Sequence, residues 1–183
     1  MKRVFVMLLA VLMLAVPACA ALAEGGQTFA TDYYTLTIPQ DWEINTSDLE
    51  SEENYRLLGD LYSPEVPGLV IETGLVHYDD MSDISLWNAD AATTQEYIDA
   101  VLEELAEDNP EYVKTLNSGG IPFIVVKAEG EDGPYYYIDT MTNGYAVVFY
   151  AYVADDDSDT LLPMSDADWA QVESILATFK PAG

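Results

Sequence analysis

The chain is poor in the residues that carry most enzyme and metal chemistry. Its 183 residues include one cysteine, Cys19, and one histidine, His77. Cys19 lies in the apolar N-terminal stretch, so the body of the chain has neither an internal disulfide nor a thiol nucleophile. A single imidazole also rules out the usual zinc and copper ligand sets. Basic residues are scarce: 6 Lys and Arg stand against 33 Asp and Glu, a formal charge of −27. That balance excludes nucleic acid and anionic membrane surfaces as partners, since both are polyanions. Internal repeats and low-complexity tracts are missing too, and valine, isoleucine, leucine and aromatics run throughout, so the chain is expected to fold.

The N-terminus reads as an export signal. Lys2 and Arg3 precede an apolar run from Val4 to Val16, followed by the small-residue exit Ala21-Leu22-Ala23. The apolar run falls short of the roughly 20 residues that a membrane-spanning helix needs. Residues 1–23 are therefore expected to be a cleaved signal peptide, with residues 24–183 as one secreted or extracytoplasmic domain. Val16-Pro17-Ala18-Cys19 resembles a bacterial lipobox, although Pro17 is out of place in that pattern. A lipid anchor at Cys19, giving a cell-surface lipoprotein, is the alternative to a soluble product. Lys2 and Arg3 leave with the signal, so the domain keeps 4 of the 6 bases and all 33 acids.

Periodicity supplies the secondary structure. In "DYYTLTIPQDWEI" (32–44), Tyr34, Leu36 and Ile38 alternate with threonines, the mark of a half-buried strand. Pro39 ends it, and Trp42 and Ile44 bring a second short strand back to the core. Strands are expected at Tyr55–Tyr62, Leu69–Tyr78, Tyr112–Leu116, Ile121–Glu129, Tyr135–Met141 and Tyr145–Val153. A helix is expected over Thr93–Glu107, opened by a Thr93/Glu96 capping box, with Tyr97, Ile98, Val101, Leu102 and Leu105 as its apolar stripe. A second is expected over Asp166–Phe179, capped by Ser165, with Lys180 placed at its C-terminal dipole. Hairpin-length connections point to an α+β domain, a mainly antiparallel sheet packed with two main helices.

"YYTLTIPQDWEI", the helix after "TTQEYI", "SGGIPFIVVKAEG", the antiparallel hairpin and the terminal "VESILATFK" together resemble the PsbP-like family. That fold is shared by an extrinsic photosystem subunit, a Ran-binding nuclear import factor and many exported bacterial proteins. The resemblance spans roughly residues 32–180 and implies an α/β/α sandwich. It carries over no catalytic set, and the acidic, exported character speaks against the Ran-binding role.

Candidate chemistry is sparse. His77 lies beside Tyr78, Asp79 and Asp80, but no nucleophile elbow accompanies it, so a structural role is expected. Asp155, Asp157 and Asp159 alternate as at the start of a calcium loop. The sixth and twelfth positions are Thr160 and Asp166 rather than glycine and glutamate, so the EF-hand pattern fails. An irregular calcium site there is the sole cofactor candidate, beside the plainer reading of a solvated loop.

The hairpin yields a sharper feature. An Asn143-Gly144 turn fixes register, pairing Tyr137 with Tyr150 and Tyr135 with Tyr152 on one face. These four tyrosines are either core rings or a contact surface for a protein, peptide or carbohydrate. The expected function is an exported, non-catalytic binding or accessory protein of the extracytoplasmic space. A hydrolase using acidic residues and a lipid-anchored surface protein in a larger assembly are the alternatives.

Overall fold

The structure, a computed structural model, describes residues 25–47, 54–78, 81–155, 157–158 and 160–182. The expected signal peptide, Cys19, most of the polar loop at 46–54, Asp79, Asp80 and Asp159 lie outside the described residues.

Eleven strands and two α-helices are described. They run β1 (Gln27–Ala30), β2 (Tyr34–Ile38), β3 (Glu43–Asn45), β4 (Tyr55–Tyr62), β5 (Leu69–His77), α1 (Ala91–Glu104), β6 (Glu111–Ser118) and β7 (Ile121–Gly130). After them come β8 (Gly133–Thr142), β9 (Tyr145–Ala154), β10 (Leu161–Leu162), α2 (Asp166–Leu176) and β11 (Lys180–Pro181). The large antiparallel sheet has the order β3-β4-β5-β9-β8-β7-β6, with β10 paired to β9, and a small sheet has the order β1-β2-β11.

The opening stretch folds as its alternation dictates. In β2, Tyr34, Leu36 and Ile38 are buried and the threonines between them are half-buried. The strand ends at Pro39, whose carbonyl accepts from the Trp42 amide at 3.3 Å, and Trp42 is buried. The chain then leaves the small sheet for the large one, where β3 pairs with β4. Gln27 fastens the corner by donating through Nε2 to the Trp42 carbonyl.

Each face of the large sheet has its own core. On one face the small sheet and α2 cover Leu61, Ile71, Phe123, Val125, Ile138 and Phe149 with Tyr34, Leu36, Val172, Ile175, Leu176 and Phe179. Tyr136 stacks on Trp169 at 4.3 Å on this side. On the other face α1 and a 3-10 turn at Leu86–Asn88 lay Tyr97, Ile98, Val101 and Leu86 over Ile124, Val126, Tyr137, Met141 and Val148. Helix, sheet and helix make the expected sandwich.

Helix boundaries differ from the sequence reading. Asp90, not Thr93, caps α1: its carboxylate accepts from the Thr93 amide at 2.9 Å, so Ala91 and Ala92 join the first turn. The helix closes at Glu104, and after a 3-10 turn at Ala106–Asp108 the chain exits through Asn109 at φ 48°. Helix α2 has the Ser165 cap, with Asp168 completing a capping box. It stops at Leu176, because the Thr178 hydroxyl donates to the Ile175 carbonyl and accepts from the Thr37 amide. Lys180 is therefore a strand residue opposite Thr35, not a dipole cap.

Candidate functional site

The hairpin sets the site. Asn143 and Gly144 both have positive φ, 51° and 78°, as a two-residue type I′ turn requires. The observed register pairs Met141 with Ala146, Asp139 with Val148 and Tyr137 with Tyr150, as the turn predicts. One face of β8 and β9 therefore gathers Tyr135, Tyr137, Tyr150 and Tyr152.

Helix α1 covers only part of that face. Tyr137 lies beneath it, 4% exposed, in edge contact with Tyr150 at 5.3 Å and 73°. It belongs to the core, where its ring packs with Tyr97, Ile98 and Val101. Tyr135, Tyr150 and Tyr152 are half-buried, Tyr135 and Tyr150 packing against the edge of the same core. They line an open cleft of about 290 Å³ together with Glu72 and Leu161.

Two neighbouring elements complete the cleft and a third buttresses it. Strand β5 lies beside β9 and places Glu72 opposite Tyr150 and Val70 opposite Tyr152. Strand β10 brings Leu161, whose backbone sits so close to Gly133 (φ 129°) that a Cβ there would lie 2.6 Å from the Leu161 carbonyl oxygen. Strand β4 brings Tyr55, whose hydroxyl donates to Glu72 Oε1 at 2.7 Å. The Tyr55 ring lies over Gly74, where a Cβ would be 2.4 Å from it, so glycine at 74 lets Tyr55 reach Glu72.

Carboxylates surround the rings. Tyr135 donates to Asp108 Oδ2 at 2.5 Å, and the Tyr78 hydroxyl lies 3.3 Å from both Glu104 oxygens. Burial, then the charges of Glu72, Glu104, Asp139 and Asp108, pushes the Tyr150 hydroxyl up to about 12. Burial with Glu72 and Asp60 does the same to Tyr152, also to about 12. Tyr135 and Tyr55 are raised by burial and by their hydrogen bonds to Asp108 and Glu72. The cleft is thus apolar in surface and negative in potential.

Deeper under α1 sits a fully buried carboxylate, Asp139. Its Oδ2 accepts from the Tyr97 hydroxyl, while Oδ1 has no hydrogen-bond partner among the described residues. Burial pushes its carboxyl up to about 7, against the opposing pull of the Tyr97 hydroxyl.

The other candidates lie apart from this cleft. Asp155 spends its carboxylate on its own loop, accepting from the Asp157 amide at 3.1 Å and the Ser158 hydroxyl at 2.9 Å. Those bonds lower its pKa. Among the described residues no three His, Cys, Asp or Glu side chains cluster as metal ligands do. His77 is exposed, with its ring stacked on Tyr145 at 4.5 Å. Sequence reasoning missed Glu72, Tyr55, Asp108 and Leu161. An acid inside the apolar strand "LVIETGLVH" was the available signal for Glu72.

Comparison with known proteins gives the fold its relatives. No protein-family description and no curated protein sequence matches the chain. The solution structure of cyanobacterial PsbP (CyanoP) from Synechocystis sp. PCC 6803 superposes with a TM-score of 0.52 at 14% identity, covering 86% of this chain and 93% of that one. A crystal structure from Bacteroides thetaiotaomicron VPI-5482 superposes with a TM-score of 0.50 at 16% identity, over 86% of this chain and 49% of the other. This chain thus spans about half the length of the Bacteroides protein. At such identities the likeness speaks for architecture alone: the chain has the PsbP-like α+β fold.

Proposed function

We propose that this is an exported, non-catalytic binding or accessory protein of the extracytoplasmic space, which holds a small ligand between Tyr135, Tyr150 and Tyr152. The observation that carries this reading is the cleft itself. Tyr137 is buried in the core under α1, while the other three rings keep part of their surface open to the cleft. A volume of about 290 Å³ lies near the lower end of small-molecule sites, which begin at roughly 300 Å³. Tyrosine suits a partly wet contact, with a flat apolar ring and a hydroxyl at its tip. Export rests on the N-terminal signal pattern, and no helix among the described residues is long and apolar enough to cross a membrane.

The test is a ligand screen by thermal shift on the processed protein and on Tyr152→Leu. The reading expects at least one ligand class to stabilise the parent and to leave the variant unmoved. Equal shifts in both proteins for every binder would reject the cleft as the site. The hydrolase alternative has one observation in its favour, the near-neutral carboxyl of Asp139. Against it, Asp139 is 0% exposed beneath α1.

A further inference from the structure

We infer that the ligand of this cleft is a small organic cation, an alkylated ammonium group held against the tyrosine rings with Glu72 as its counter-charge. The inference deepens the binding reading above and rests on it.

Three observations converge. The first is the aromatic wall. Tyr135 and Tyr150 lie 5.9 Å apart at 48°, so their rings meet at an angle rather than forming a flat shelf. A cation within about 6 Å of a ring centroid is attracted by the negative face of the ring, most strongly where water is partly excluded.

The second is charge without compensation. Glu72 lines the cleft, and Asp108, Glu104 and Asp60 stand around it. The ion pair described among the described residues, Lys114 with Glu173, is on the α2 side of the sheet, away from the cleft. The Tyr55 hydroxyl on Glu72 Oε1 is neutral, so it orients the carboxylate and leaves its charge in place. An anionic ligand would meet repulsion here, and a neutral sugar would gain nothing from the field.

The third is the poverty of oxygen ligands. Calcium takes six to eight oxygens and magnesium requires an octahedral set. The cleft offers one carboxylate amid rings and a leucine, which suits a cation that carries its own apolar surface. Methyl groups on nitrogen spread the charge and bury against Tyr150, Tyr152 and Leu161, and they remove donors that the cleft has few acceptors to satisfy.

Isothermal titration of the processed protein with choline, its neutral tert-butyl isostere and maltose tests the assignment. Choline is expected to bind roughly tenfold or more tightly than the isostere, the ratio that about 1.4 kcal/mol of cation–π and ionic attraction gives. Glu72→Gln should weaken choline about tenfold and leave the isostere unchanged, since glutamine keeps the Tyr55 hydrogen bond and loses only the charge. Rising salt should weaken choline alone. Circular dichroism of the variant confirms that it is folded. Equal affinity for choline and the isostere would overturn the inference. Maltose binding that depends on Tyr152, with choline inert, would also overturn it and leave the binding function standing. Indifference of every probe to Tyr152→Leu would overturn both.

Discussion

Asp139 makes the stability of this protein depend on pH in an unusual direction. Its carboxyl is fully buried, and its pKa rises from 3.8 to about 7 on folding. Between those values the folded protein keeps a proton that the unfolded chain has released. The free energy of unfolding therefore falls by about 1.4 kcal/mol for each pH unit gained. Over the interval the loss reaches roughly 4 kcal/mol, a large share of the roughly 5–15 kcal/mol that holds a typical domain together. The contribution is present in full below the unfolded value and lost once pH passes the folded one. Five groups face Asp139: Tyr97 from α1, Tyr137 from its own strand, Tyr150 from β9, Tyr78 from the loop after β5, and Glu104 at the end of α1. Because many other groups on so acidic a chain also respond to pH, the clean measurement is a difference. Urea denaturation of the parent and of Asp139→Asn at half-unit steps from pH 4 to pH 8 isolates the single group. Asparagine cannot ionise, so the stability of the variant relative to the parent should climb by about 1.4 kcal/mol per unit up to about pH 7 and then level off. Parallel profiles across the range would refute the buried-carboxylate account.

Four further outcomes are expected. Tyr137→Ser should cost about 3–5 kcal/mol in urea denaturation, as loss of a large core ring does, whereas Tyr152→Ser should change stability by less than about 1 kcal/mol. Gly74→Ala should displace the Tyr55 ring from Glu72 and destabilise by about 1–3 kcal/mol, seen as a lower denaturation midpoint at unchanged slope. Millimolar calcium should raise the melting temperature no more than magnesium at the same ionic strength; a calcium-specific rise lost in Asp157→Ala would establish a site in the 155–159 loop. Intact mass of the exported protein should show a chain beginning at Glu24, and a diacylated Cys19 would make it a lipoprotein instead.

Local chemistry explains which parts of the fold were legible. The Asn143-Gly144 turn determines its own register, so the face shared by Tyr137 and Tyr150 followed from two residues and a period of two. The Ser165 cap, the Pro39 break and the buried side of β2 are equally local. Tertiary contacts decided the rest. Glu72 meets Tyr150 only because β5 pairs with β9 across 78 positions of sequence, a pairing that alternation within either strand cannot announce. The short strands β1, β10 and β11 carry too few residues to show a period, and each exists because a partner strand holds it. Asp90 won the helix cap from Thr93 because two alanines after it extend the helix readily. For the tyrosine face the sequence left core and contact surface open. The structure divides it: Tyr137 is buried in the core under α1, whereas Tyr135, Tyr150 and Tyr152 are half-buried and line the cleft.

The central claim is that these three rings and Glu72 form one ligand site, and tyrosine-ring NMR tests it most directly. Ring-carbon signals of the thirteen tyrosines, assigned by substitution, would be followed during a choline titration. The account predicts saturable shifts of Tyr135, Tyr150 and Tyr152 with one common dissociation constant. Tyr34 and Tyr136, on the opposite face of the sheet, should stay still. Signals of the three cleft tyrosines that remain fixed, or that move no more than those of Tyr34 and Tyr136, would contradict it.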